Sequence, residues 1–180
     1  MRYLRPDQVL HIADWITQNT SGCYLRDIFI CINPYEFYVT DLKAHGRDDK
    51  WQDPAETLQR GTGDCEDLSF LIGSILMALG WRDIRILMGY YTNFCHVWPE
   101  VRGPGGHWWL LETTKGWIIP MQDSESRPRQ YQPLECLYCA PGLAPVGVYP
   151  GTMVPHGCEA APGMSPTAVL GIINMFSQFI

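Results

Sequence analysis

Gly61-Thr62-Gly63-Asp64-Cys65-Glu66-Asp67-Leu68 runs directly into Ser69-Phe70-Leu71-Ile72-Gly73-Ser74-Ile75-Leu76-Met77-Ala78-Leu79-Gly80, a continuation with neither proline nor charge. Such an apolar run predicts a buried central helix from about Cys65 to Leu79, and Gly80 stands where a left-handed helix end favours glycine. Glycines at 61 and 63 let the entering backbone turn, while Asp64 can cap the amide donors that the first turn leaves unpaired. Cys65 then sits beside unpaired N–H groups at the positive end of the helix dipole, both of which favour thiolate over thiol. This stretch alone admits two readings, a nucleophile and a buried structural cysteine.

The sequence downstream weighs on that choice. Ile84-Arg85-Ile86-Leu87-Met88-Gly89-Tyr90-Tyr91 reads as a strand, and after a short polar break comes His96-Val97-Trp98-Pro99-Glu100-Val101. Gly103-Pro104-Gly105-Gly106 reads as a turn, and His107-Trp108-Trp109-Leu110-Leu111-Glu112-Thr113-Thr114 as the return strand of a hairpin. A cysteine opening a helix, a histidine opening the second strand and an acid closing the third make up a thiol acyl-transfer set. The thiolate attacks, the imidazole shuttles the proton, and the carboxylate fixes the imidazole's tautomer.

Four motifs in this order resemble the transglutaminase-like superfamily, above all its microbial cysteine proteinases: Trp51-Gln52-Asp53-Pro54-Ala55-Glu56-Thr57-Leu58, Gly63-Asp64-Cys65-Glu66-Asp67, His96-Val97-Trp98-Pro99-Glu100-Val101 and Trp109-Leu110-Leu111-Glu112-Thr113-Thr114. The resemblance covers roughly residues 35 to 120. It implies an α+β, papain-like fold in which the helix bearing the nucleophile packs on an antiparallel sheet, with Cys65 as nucleophile, His96 as base and Glu112 as orienting acid. Many members carry Asp where this chain has Glu112, and the extra methylene changes the reach. The implied activity is thiol-dependent acyl transfer on a peptide or protein substrate, foremost amide hydrolysis by a cysteine peptidase. Transamidation of protein glutamine and a non-catalytic scaffold module of the same fold are the alternatives.

The triad makes a geometric demand on the hairpin. Side chains alternate between the two faces of a strand, so loop length decides whether His96 and Glu112 meet. A four-residue loop pairing Arg102 with His107 sends Glu112 to the far face, whereas a three-residue loop sets it opposite His96. The expectation is an odd-length loop or a bulge, with a Glu112 oxygen in hydrogen-bond reach of His96.

At 180 residues, 46% hydrophobic and 12% aromatic, the chain can bury a proper core. A net charge of −6 without a basic cluster argues against nucleic-acid partners. Seven cysteines exclude a fully paired disulfide framework within one chain. No secretory signal is visible, so the default setting is reducing and cytoplasmic, with a periplasmic or secreted setting as the alternative.

Val9, Ile12, Ala13 and Ile16 recur at helical spacing and predict a first helix over about 7–19. Residues 41–53 read as a polar surface loop forming one wall of the cleft. Trp51 and Trp98 are candidates to line the cleft, and Gln52 could donate to an oxyanion. Asp64, Glu66 and Asp67 read first as helix-end acids and second as calcium ligands, as in some proteinases of the resembled family. The catalytic domain is expected over 1–120. Residues 121–180 should wrap it irregularly, with Cys136, Cys139, His156 and Cys158 as a zinc quartet candidate. The uncharged stretch 166–180, too short for a membrane span, reads as an apolar helix docked on the domain or on a second copy.

Overall fold

The computed structural model describes residues 2–20, 25–47, 49–103, 105–141 and 143. The element order begins with helices α1 (Leu10–Asn19), α2 (Leu25–Ile32), α3 (Asp41–His45), α4 (Pro54–Arg60) and α5 (Cys65–Ala78). Strands β1 (Ile84–Tyr91), β2 (Phe94–Arg102), β3 (Trp108–Glu112), β4 (Trp117–Met121) and β5 (Tyr131–Cys139) follow. They form one antiparallel sheet in the order β4-β3-β2-β1-β5, an α+β architecture.

α5 is the central helix, buried from Cys65 to Leu76 on all sides. It starts where Gly63 approaches Asp67 so closely that a Cβ on Gly63 would lie 2.7 Å from that of Asp67. Asp67 Oδ2 accepts from the Asp64 amide at 3.3 Å, closing the first turn. One face of the sheet, carrying Ile84, Ile86, Val97, Val101 and Leu111, packs with α1, α2 and α5 into the main core. The opposite face has its own cluster of Leu87, Trp98, Trp108, Leu110, Met121 and Tyr131. Beside it lies a buried charge network in which Arg85 and Arg127 both donate to Glu100, at 2.5 and 2.7 Å. The Arg85 guanidinium also covers the Trp108 ring at 4.3 Å.

Three expectations are corrected here. Residues 41–53 are not wholly a surface loop, because Asp41 opens α3 and is buried. The segment after residue 120 is not irregular throughout, because β5 is a nine-residue strand on the sheet edge. Register shifts between Ile86/Leu87 and Met88/Gly89 break its alternation, and Pro133, opposite Gly89, is tolerated on an edge. That strand needs a glycine opposite it: a Cβ on Gly89 would fall 2.1 Å from the Gln132 carbonyl oxygen.

Trp98 is a buried support rather than a cleft wall. It is fully buried, stacks near His96 (centroids 6.1 Å, 24° between planes) and donates Nε1 to Glu100 at 3.1 Å. Trp98→Ala is expected to cost about 3–5 kcal/mol. Denaturant unfolding measures this, and an unchanged midpoint would show that the indole is not part of the core.

Candidate functional site

The hairpin loop between Arg102 and Trp108 spans residues 103–107, an odd length, and Glu100 pairs with Leu110. His96 and Glu112 therefore share a face. Extending this register sets Trp98 level with Glu112 and His96 level with Thr114, so the two residues are diagonal neighbours. Diagonal positions are farther apart than directly opposed ones. The longer glutamate side chain covers that gap, and His96 Nε2 lies 2.9 Å from Glu112 Oε2.

Glu112 is fully buried and gathers further donors. Thr114 donates its amide and its hydroxyl to Oε1 at 3.0 and 2.7 Å, and the Tyr131 hydroxyl donates to Oε2 at 2.8 Å. Burial alone would push this carboxyl up, but the His96 hydrogen bond and charge, with those of Thr114 and Tyr131, hold it down at about 2. Tyr131 was missed in the sequence because β5 was missed. Tyr131 and Tyr91 also border the His96 ring, at 6.4 and 5.9 Å between centroids.

Cys65 lies at the start of α5, beside the β2 backbone. Ser69 Oγ is 2.6 Å from the Cys65 carbonyl oxygen and 3.1 Å from that of Val97, tying the first helical turn to the residue after His96. The thiol's side-chain hydrogen bond goes to Glu66 Oε2 at 3.2 Å. Contrary to the dipole argument, the thiol pKa is raised: burial pushes it up, Glu66 and Asp64 add to this, and a Val97 backbone hydrogen bond opposes it.

Gln52 is not free to act as an oxyanion donor. It is fully buried and spends its Nε2 hydrogens on Asp67 Oδ2 and the Thr62 carbonyl oxygen, while its amide N–H donates to Asp67 Oδ1 at 2.6 Å. Its role is to fix the entry to α5. Trp51 is half-buried against Tyr3 and Phe70, at 5.4 and 5.6 Å, so packing accounts for it.

The acids around Cys65 form a larger cluster than the sequence reading foresaw. Asp64, Glu66 and Asp67 are joined by Asp41 and Asp49, with potential ligand atoms within 4.8 Å of one another in groups of three. Asp41 Oδ1 and Asp64 Oδ1 are buried with no hydrogen-bond partner among the described residues. Burial, reinforced by the charge of Glu66, pushes Asp64 up to about 11. Asp67 is raised by burial to about 7 against the hydrogen bonds of Gln52, and Glu66 is raised by burial as well. Orphaned carboxylate oxygens packed this closely fit a hard divalent cation such as calcium.

The zinc quartet does not hold. Cys136 and Cys139 are joined in a disulfide and offer no thiolate, and His156 and Cys158 lie outside the described residues, as does the apolar stretch 166–180. Among the described residues no helix is long and apolar enough to cross a membrane.

Among solved structures, LapG of Legionella pneumophila is similar at a TM-score of 0.52 and 19% identity, over 76% of this chain and 85% of that one. Its calcium-bound form is similar at 0.48 and 21%, over 72% and 83%. A candidate cysteine protease from Cytophaga hutchinsonii is similar at 0.50 and 18%, over 67% and 43%. At these identities the likeness concerns the fold alone. No curated protein matches the sequence. The sequence model of the Transglutaminase-like superfamily matches residues 5–113, more than half of the chain, and the chain belongs to that superfamily.

Proposed function

We propose that this chain catalyses thiol-dependent acyl transfer on a peptide or protein substrate, with water as acceptor, through Cys65, His96 and Glu112. The observation that carries the reading is the His96–Glu112 hydrogen bond on a carboxylate held ionised, one residue from the strand backbone that touches Cys65. With Nε2 committed to Glu112, Nδ1 is the ring nitrogen left for the thiol proton. Because burial and the neighbouring acids hold Cys65 as a thiol, His96 takes the proton as sulfur attacks, rather than resting beside a preformed thiolate. His96 then gives that proton to the leaving amine, and water resolves the acyl-enzyme. Glu112 stabilises the imidazolium in between.

Intact-mass spectrometry after brief iodoacetamide treatment tests the reading. Modification confined to Cys65 and slowed in His96→Ala supports it. Labelling spread evenly over the accessible cysteines would favour a scaffold module of the same fold. Adding a primary amine to an acyl-substrate assay separates the acceptors, since amide product in place of acid marks transamidation.

Calcium fits the cluster of Asp41, Asp49, Asp64, Glu66 and Asp67, where its charge would offset the negative field that disfavours ionisation of Cys65. Saturating calcium at about 100 times its Kd should stabilise the fold by about 2.7 kcal/mol. That raises the thermal midpoint by roughly 5–10 °C for a chain of this size. In chelator the pH dependence has a fixed sign. A carboxyl raised in the folded state binds more protons there than when unfolded, so stability falls as pH rises. For Asp67 the loss spans roughly pH 4, its unfolded value, to the folded value of about 7. Scanning calorimetry with and without calcium reads both effects, and no shift at millimolar calcium removes the site.

A further inference from the structure

The turn between β3 and β4 sets a lysine between aromatic rings beside the proposed site. Lys115 follows Thr114 in that turn and holds its Nζ 3.7 Å from the centre of the Tyr91 ring and 5.0 Å from that of Trp117. The Tyr91 ring in turn borders the His96 imidazole, at 5.9 Å between centroids. A single aromatic ring thus contacts both the ammonium and the base. The backbone of the lysine is fixed as well, since its amide donates to the Glu112 carbonyl oxygen at 3.3 Å.

What Lys115 lacks is an anion. Among the described residues, Arg5, Lys50, Arg85 and Arg127 are the other lysines and arginines that are not exposed, and each has a carboxylate partner. Lys115 is half-buried against its two rings and has no ion pair among the described residues. A cation packed on ring faces has shed part of its water, so a carboxylate brought to it is attracted more strongly than in bulk solvent. The surroundings are open to one. Phe94, directly opposite Tyr91 in the β1–β2 pair, and Trp117 are two of the four large apolar side chains exposed among the described residues. A cation framed by exposed aromatic rings suits a surface that receives another chain.

We propose that Lys115 determines specificity on the leaving side of the scissile bond, by pairing with an acidic side chain near the start of the departing peptide segment. The proposal rests on the reading of Cys65, His96 and Glu112 as a thiol acyl-transfer site. The side follows from the chemistry. His96 delivers the proton to the leaving amine, so the base lies beside that amine, and a cation one ring beyond the base meets the segment to which the amine belongs. Around Cys65 an acidic substrate residue would meet the like charge of Asp64, Glu66 and Asp67, so the lysine also fixes where such a residue can lie.

The reverse of amine departure reads this side alone. p-Nitrophenyl acetate loads Cys65 of the full chain with an acetyl group, and an added amine then competes with water for it. The nitrogen attacks the thioester carbonyl, the carbon–sulfur bond breaks with its pair going to sulfur, and the amine proton passes through His96 to that sulfur. The acceptors are glycyl-glutamyl, glycyl-glutaminyl and glycyl-lysyl amides, and mass spectrometry measures their N-acetyl products. Wild type should favour the glutamyl over the glutaminyl acceptor by about 5–10-fold and disfavour the lysyl one, and sodium chloride at about 1 M should bring the ratios toward one. Lys115→Met keeps the apolar stem and should abolish the preference, whereas Lys115→Glu should turn it toward the lysyl acceptor. Each ratio is taken within one preparation, so it does not depend on that preparation's basal rate. Equal use of the acceptors by wild type, a preference unchanged in Lys115→Met, or no aminolysis with any acceptor overturns the proposal. Where a variant does not fold, the wild-type ratio and its salt dependence decide. If wild-type Cys65 takes up no acetyl group, the reading of the site falls instead, and intact mass before any acceptor is added identifies that case.

Discussion

Cys65→Ser is expected to lower acyl-enzyme formation from p-nitrophenyl acetate by at least about 10⁴-fold, the order seen when a covalent nucleophile is removed. The loss is chemical. A serine hydroxyl is far less acidic than a thiol and needs far stronger activation. The fold should survive. Cys65 is buried, but a hydroxyl in the place of sulfur finds the same acceptor, since Glu66 Oε2 lies 3.2 Å from Sγ. The change in unfolding free energy should stay within about 1 kcal/mol. Stopped-flow acylation and denaturant unfolding on the same preparation measure both. Retained acylation in Cys65→Ser would place the nucleophile elsewhere.

What the sequence revealed depended on how local the physics is. The apolar run after Cys65 has a single physical solution, a buried helix, and α5 forms within one residue of the expected end. The first three strands were legible because polar turns separate their apolar runs. The His96–Glu112 contact was legible as a demand on parity, yet the five-residue loop was not, because several odd lengths satisfy it equally. β5 was hidden by proline and by two register shifts, and with it went Tyr131, whose contact to Glu112 spans 19 positions. Gln52 was misread because an amide at a helix entry looks the same in sequence whether it faces a cleft or caps a buried carboxylate. Asp41 was misread because a polar loop carries no mark for the one acid that turns inward onto Asp64 and Asp67.

Glu112→Gln is expected to slow acylation at neutral pH by about 10³–10⁴-fold, the order found when the orienting carboxylate of a catalytic triad becomes an amide. The amide keeps the size but loses the charge that stabilises the imidazolium, and it fits its surroundings poorly. Four donors converge on the carboxylate: His96 Nε2, the Tyr131 hydroxyl, and the amide and hydroxyl of Thr114. Whichever way the Gln amide turns, its NH₂ meets groups that also donate, so buried donors are left unpaired. Stability should fall as well, and its pH dependence identifies the cause. Glu112 is held at about 2 in the folded chain, below its ordinary value, so its contribution is complete above about 4.5 and is lost as pH falls through about 2. A depression of that size corresponds to on the order of 3 kcal/mol at neutral pH. The raised carboxyls of the acidic cluster act in the opposite direction, but they are common to both proteins and cancel in the difference. Unfolding free energies of wild type and variant should therefore differ at pH 5 and converge toward pH 2. A difference that does not shrink on acidification would mean that the carboxylate charge is not what holds His96 in place.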